Sequence, residues 1–229
     1  MKSHRGDALL VDQMDWVAFP REACGPTMET SLTPDELSVL FDELSDEQFV
    51  ESQVLRPVPW ILRARPEDYD GWRQVVAAAG GLPADAIWLV GSAATGFSLA
   101  PESLGRDFKD ATDASPSDID LAVVAESPFV AAWDTVLSFD RRRQFYRIGR
   151  SKARVIEDIY QGHLDIFSIP PDTGAHRDLI LIANAASRLR LFRGHRATVW
   201  TYRRLDDLRD KQLSSVRRAR ATLAGGGLA

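Results

Sequence analysis

Two rhythms of apolar and polar residues run along this chain, a short period of two and a longer one near 3.6, and they divide it into strands and helices. The run Ile87-Trp88-Leu89-Val90 is continuously apolar and breaks at Gly91-Ser92, which predicts a strand followed by a segment able to open a helix. Asp118-Ile119-Asp120-Leu121-Ala122-Val123-Val124 predicts a second strand. Because side chains alternate across a strand, Asp118 and Asp120 fall on one side while Ile119 and Leu121 turn to the core. His163 to Ile169, closed by Pro170-Pro171, predicts a third strand, and Thr198 to Tyr202 a fourth.

Helical spacing governs most of the rest. Thr33-Pro34-Asp35-Glu36 reads as a helix start, with Thr33 as N-cap and Pro34 in the first turn; Leu37, Leu40, Phe41 and Leu44 then recur on one face. A short helix is expected from Ser45, with acidic Asp46 and Glu47 in its first turn. Pro57 and Pro59 then interrupt the helical pattern. Glu67 to Ala79 predicts a helix with Trp72, Val75, Val76 and Ala79 inward, ended by Gly80-Gly81. Phe129–Leu137, Arg150–Tyr160, Leu179–Leu191 and a basic Leu205–Leu223 complete the helices. The expected organisation is a loose arm over 1–30, a helical segment over 31–82, an α/β domain over 83–223 and a flexible tail over 224–229.

The chemistry concentrates at two places. Two carboxylates side by side at the end of a buried strand are costly unless something neutralises them, and a divalent cation with oxygen ligands does so. A Gly-Ser turn nearby offers backbone N–H groups, and Gly91 allows close approach of a phosphate. Asp165, in His-Leu-Asp-Ile-Phe, is a further inward carboxylate; such a residue is either a third ligand or a capped or paired structural group.

An apolar strand ending in Gly91-Ser92, a strand carrying Asp118-Ile119-Asp120 and a later strand carrying Asp165 resemble, over roughly residues 85–170, the DNA polymerase β-like nucleotidyltransferase superfamily. That resemblance implies an α/β nucleotidyltransferase fold, a small mixed sheet with helices behind an α-helical N-terminal segment. It implies transfer of a nucleoside monophosphate from a nucleoside triphosphate to a hydroxyl, with release of pyrophosphate. By the same resemblance Asp118, Asp120 and Asp165 are catalytic and hold two Mg²⁺ (or Mn²⁺) ions, while Gly91 and Ser92 bind the nucleotide. The acceptor classes it allows are RNA, a small molecule, another nucleotide or a protein side chain. One departure is length: 25 residues, 93 to 117, separate Ser92 from Asp118, where the family has about a dozen. This stretch is expected to form a loop beside the site, with Arg106 and Lys109 in reach of a phosphate. The alternatives are an inactive relative that binds nucleotide or RNA for regulation, and an Asp-x-Asp glycosyltransferase. The latter would need no Gly91-Ser92 upstream and would be expected to have a larger domain.

Composition narrows the setting. A hydrophobic fraction of 45% suits a globular protein, and no apolar run approaches the length of a membrane span. The single cysteine, Cys24, excludes an internal disulfide and a cysteine-based zinc site, and the start carries no apolar leader; the chain therefore reads as soluble and cytoplasmic. His4, His163, His176 and His195 show no metal-ligand spacing. Surface or core roles fit them, with an approach of His163 to the substrate as the alternative.

The net charge of −5 conceals an asymmetry: residues 1–80 carry 7 basic and 15 acidic side chains, and residues 141–220 carry 19 and 8. Either the basic half attracts a polyanion or the two halves pack against each other. The run Arg141-Arg142-Arg143 with Arg147, Arg150, Lys152 and Arg154 is open to both readings. The bases of the last helix look like a solvated face, and no regular interleaving of aromatics marks a stacking platform.

Overall fold

In the computed structural model, which describes residues 34–148 and 150–225, four strands form one mixed sheet. They are β1 (Ile87–Val90), β2 (Ile119–Val124), β3 (His163–Asp165) and β4 (Ala197–Tyr202), in the order β1-β2-β4-β3. β1 runs antiparallel to β2, β2 parallel to β4, and β4 antiparallel to β3. The helices are α1 (Pro34–Glu43), α2 (Asp46–Phe49), α3 (Glu67–Ala79), α4 (Ser92–Thr95), α5 (Glu126–Arg141), α6 (Lys152–Tyr160), α7 (Gly174–Ala186) and α8 (Leu205–Ala224). The architecture is thus α/β with a small mixed sheet. The expected arm at 1–30, the Thr33 cap, Cys24, His4 and the end of the tail lie outside the described residues.

Local signals set most of these boundaries. The Ser45 hydroxyl accepts the Gln48 N–H while the Ser45 N–H donates back to the Gln48 side chain, a reciprocal cap that starts α2. α3 has the predicted bounds, although its inward stripe is Tyr69, Trp72 and Val76, with Val75 exposed. α7 begins five residues earlier than the apolar pattern indicated, because the Thr173 hydroxyl accepts the His176 N–H and nucleates the first turn. The third strand is shorter than predicted: after Asp165 the chain turns into a tight 3₁₀ turn, Ile166–Ser168.

Strand alternation then divides the core in two. Ile119, Leu121 and Val123 of β2 join Ile87, Leu89, Leu164 and Val199 on one face, under α3, α5 and α7. Ala122 joins Val90 and Tyr202 on the other, under α1, α2 and α8. Both clusters draw residues from before and after position 83, so the N-terminal helices are part of the packing around the sheet.

The charge asymmetry has a structural counterpart on this second face. From α8, Arg209 pairs with Glu51 at 2.8 Å and Arg217 with Asp46 at 3.1 Å. Arg220 pairs with Asp46 at 2.7 Å, donates to the carbonyls of Phe41 and Leu44, and lies over the Phe41 ring. Much of the basic last helix therefore packs against the acidic N-terminal region. Arg220 both caps the last carbonyls of α1 and joins α1 and α2 to α8. Arg220→Ala is expected to cost about 2–3 kcal/mol, since a half-buried charged donor serving several acceptors is removed at once. Thermal or urea unfolding measures it.

Candidate active site

Gly91 and Asp120 meet at the mouth of the sheet. β1 and β2 pair so that Val90 lies opposite Asp120, and Gly91 follows with φ +66° and ψ −156°, a conformation reserved for glycine. A Cβ built on Gly91 would stand 2.5 Å from Asp120 Oδ2. The close approach that glycine permits here is to the carboxylate. Directly after it α4 opens at Ser92.

Asp118, just before β2, is exposed, whereas Asp120 keeps only part of its surface open. Among the described residues the pair has one guanidinium in contact, Arg196, whose Nη2 lies 3.5 Å from Asp118 Oδ2. Burial pushes the Asp120 carboxyl up to about 6, the Asp118 charge adds to the rise, and Arg196 opposes it. Arg196 therefore offsets only part of the charge of the aspartate pair.

An open cavity of about 360 Å³ adjoins the pair, lined by Ser92, Ser98, Arg106, Asp107, Lys109, Ser117 and the aspartate pair among others. The long segment between Ser92 and Asp118 builds its wall. Phe97 bridges to Asp107, Ser98 N–H donates to the Arg106 carbonyl at 2.8 Å, and Lys109 N–H donates to Ser117 Oγ at 2.9 Å. Gly194 and His195 support it from behind. The His195 ring packs on Phe108 at 5.2 Å, and its Nδ1 lies 2.7 Å from the Ser117 carbonyl, one residue before the acid pair. Neither Arg106 nor Lys109 forms an ion pair among the described residues. Sequence reasoning placed both beside the site, but missed His195, whose contact with Ser117 spans 78 positions and leaves no local signal.

Asp165 stands elsewhere. Asp120 pairs with Thr198, and Asp165 with Trp200, on the same face of the sheet but two strands and two residues apart. At ~4.8 Å per strand and ~3.3 Å per residue this is about 12 Å between Cα atoms. The position beside Asp120 on the adjacent strand holds the neutral Thr198. The Asp165 carboxylate is fully engaged: Oδ1 accepts the Ser168 N–H at 2.6 Å, and Oδ2 accepts Arg150 Nη2 at 2.8 Å and Nε at 3.2 Å. The structure thus brings Gly91, Ser92, Asp118 and Asp120 together and leaves Asp165 outside the cavity lining. Among the described residues no group of three or more metal-ligating side chains is assembled.

His163 is fully buried, with Nε2 3.3 Å from Asp158 and its ring between Trp200 and Tyr202 at 5.8 and 5.7 Å. Its role is in the core, and an approach to substrate is excluded by that burial. Three of the bases preceding it are paired within the fold, Arg150 with Asp165 at 2.8 Å, Lys152 with Asp140 at 2.6 Å and Arg154 with Asp158 at 3.2 Å. Among the described residues no helix is long and apolar enough to cross a membrane.

Comparison of the chain with known protein families, with curated proteins and with solved structures finds no match.

Proposed function

We propose that this protein is a metal-dependent nucleotidyltransferase that moves a nucleoside monophosphate from a nucleoside triphosphate to a hydroxyl. The observation that carries the reading is the juxtaposition of an under-neutralised aspartate pair with a cavity that presents two cations and several hydroxyls. That is the charge pattern of a cation-bound polyphosphate: carboxylates for the metal, Arg106 and Lys109 for the phosphate oxygens.

Asp118 and Asp120 suit a Mg²⁺ ion, which characteristically takes one or two protein carboxylates and completes its shell with water and substrate phosphates. Bound there, such a cation would neutralise charge on the α-phosphate and on the leaving pyrophosphate. Gly91 keeps the Asp120 carboxylate in place, and Ser92 and Ser117 offer hydroxyls to the phosphates. In the transfer the acceptor oxygen forms a bond to the α-phosphorus and the α–β phosphoanhydride bond breaks. Pyrophosphate leaves, and the hydroxyl proton passes to water in the open cavity. Asp165 is poorly placed to take that proton, because both its oxygens already accept hydrogen bonds.

The engagement of Asp165 favours one second reading, a relative that binds nucleotide through the same cavity without transferring it. Binding itself is tested by thermal shift. A nucleoside triphosphate with Mg²⁺ is expected to stabilise the protein, a nucleotide-sugar with Mg²⁺ is not, and Arg106→Ala/Lys109→Ala is expected to weaken the triphosphate effect at least tenfold in apparent affinity. Equal stabilisation by both ligands would point to glycosyl transfer, and none by either would remove the nucleotide reading.

A further inference from the structure

Beside the acid pair, outside the lining of the cavity, the structure exposes a phenylalanine between two arginines. Phe167 sits in the turn that follows β3; its neighbours Ile166 and Ser168 are buried, yet Phe167 is 44% exposed. The Arg196 guanidinium lies 5.5 Å from its ring centroid and the Arg150 guanidinium 5.7 Å. Both arginines are held by carboxylates, Arg196 by Asp118 of the acid pair and Arg150 by Asp165, and both remain open to solvent, at 67% and 45% of the side chain. Asp165 also accepts the Ser168 N–H, so one carboxylate fixes both the turn that presents the ring and one arginine beside it.

We propose that Phe167, Arg150 and Arg196 form an acceptor platform for the end of a single-stranded polynucleotide, the base stacking on Phe167 and the backbone phosphates meeting the two guanidiniums. This rests on the nucleotidyltransfer reading given above. Three observations lead to it. The ring, 44% exposed in a turn whose flanking residues are buried, leaves part of its surface to a base; base–aromatic stacking is tolerant of sequence and works beside a cationic groove. Each arginine spends only part of its fan of donors on its aspartate, leaving N–H groups for a phosphate.

The third observation is position. The cavity is walled by the 98–117 segment, and Phe167 and Arg196 are not part of its lining. The platform lies on the β4–β3 side, reached from Asp118 through Arg196. Phosphoryl transfer needs attacking and leaving oxygens roughly in line across the phosphorus. With the triphosphate in the cavity, the incoming hydroxyl comes from outside its lining, and the platform stands there, joined to Asp118 through Arg196.

The test uses the full chain and a short fluorescein-labelled oligonucleotide, as single-stranded RNA, single-stranded DNA and duplex, followed by fluorescence anisotropy. Wild type is expected to bind single strands in preference to duplex. Phe167→Ala is expected to weaken strand binding roughly tenfold or more, and Phe167→Trp to retain it. Arg150→Gln is expected to weaken binding and lower the salt dependence by less than one unit of slope. Tyr160→Ala, which removes an aromatic 89% exposed, serves as the control and leaves binding unchanged. Melting temperatures establish that each variant folds. Strand binding unchanged in Phe167→Ala, duplex bound as well as single strand, or no strand bound by wild type would each overturn the platform. Nucleoside triphosphate binding, measured alongside, separates the two claims. Triphosphate bound without strand leaves the cavity reading standing and removes the platform. Strand binding that depends on Phe167, without triphosphate binding, removes the cavity reading and with it the acceptor role, and leaves Phe167 as a strand-binding residue.

Discussion

Asp120→Asn is expected to abolish nucleotide transfer and, in the metal-free protein, to raise stability. The two effects have one cause. The Asp120 carboxyl is pushed from 3.8 up to about 6 by burial and by Asp118, so at neutral pH the fold holds a charge it disfavours. A shift of this size corresponds to at most about 3 kcal/mol, and removing the charge with an isosteric amide is expected to return about 1–3 kcal/mol. The pH dependence has a definite sign. Since the folded value lies above the unfolded one, stability contributed by Asp120 is fully present below about 3.8 and is lost as pH rises through about 6. The metal-free wild type is therefore expected to lose stability between these values on going to neutral pH, and Asp120→Asn to lose less. Unfolding curves across pH, for both proteins, measure the difference. A variant less stable than wild type at neutral pH would mean that Asp120 holds the fold together, contrary to its assignment as a functional charge.

Gly91→Ala carries the second large effect, and it acts through geometry. The added Cβ would meet Asp120 Oδ2 at 2.5 Å, on a backbone with φ +66°. The backbone conformation alone costs a non-glycine residue about 1–3 kcal/mol. Relief of the clash must come from moving either the Gly91 turn or the Asp120 side chain, and both displace the proposed cation site. Loss of Mg²⁺-dependent triphosphate stabilisation is expected even where the variant still folds. Gly81→Ala makes the comparison, because Gly81 has φ +64° and open space around its Cβ position. It bears the backbone strain without the clash, so it is expected to lose stability while retaining nucleotide binding. Equal binding in Gly91→Ala and wild type would show that the approach to Asp120 has no part in the site.

The local parts of this structure were legible in the sequence because local signals make them. α3 follows from apolar spacing and from Gly80-Gly81 at its end, and α8 is expected over nearly its full length; β1 and β2 follow from short apolar runs and from the alternation that sends Ile119 and Leu121 inward. Gly91, Ser92, Asp118 and Asp120 could be placed together because they lie at the ends of paired neighbouring strands. Asp165 could not be placed, since its distance from Asp120 depends on β4 entering the sheet between β2 and β3, which no pattern within either strand encodes. The early end of β3 has a side-chain cause, the Asp165 carboxylate capping Ser168 and tightening the chain into a turn. The pairing of α8 with α2 is likewise long-range: Arg217 and Asp46 are 171 positions apart, and charge counts alone left open whether those bases faced a partner or the fold itself. Phe167 escaped notice for the same reason, because Arg150 and Arg196 reach it from different elements.

The central claim is tested most directly by incubating the purified protein with each nucleoside triphosphate, radiolabelled at the α-phosphate, together with Mg²⁺ or Mn²⁺ and total cellular RNA. An Asp118→Ala/Asp120→Ala double variant runs in parallel. Label is expected on an acceptor, with RNA the acceptor that the Phe167 platform favours, and it is expected to be lost in the double variant. Label transferred equally by the double variant would contradict the assignment of the aspartate pair, and no label on any acceptor would contradict the claim of transfer itself.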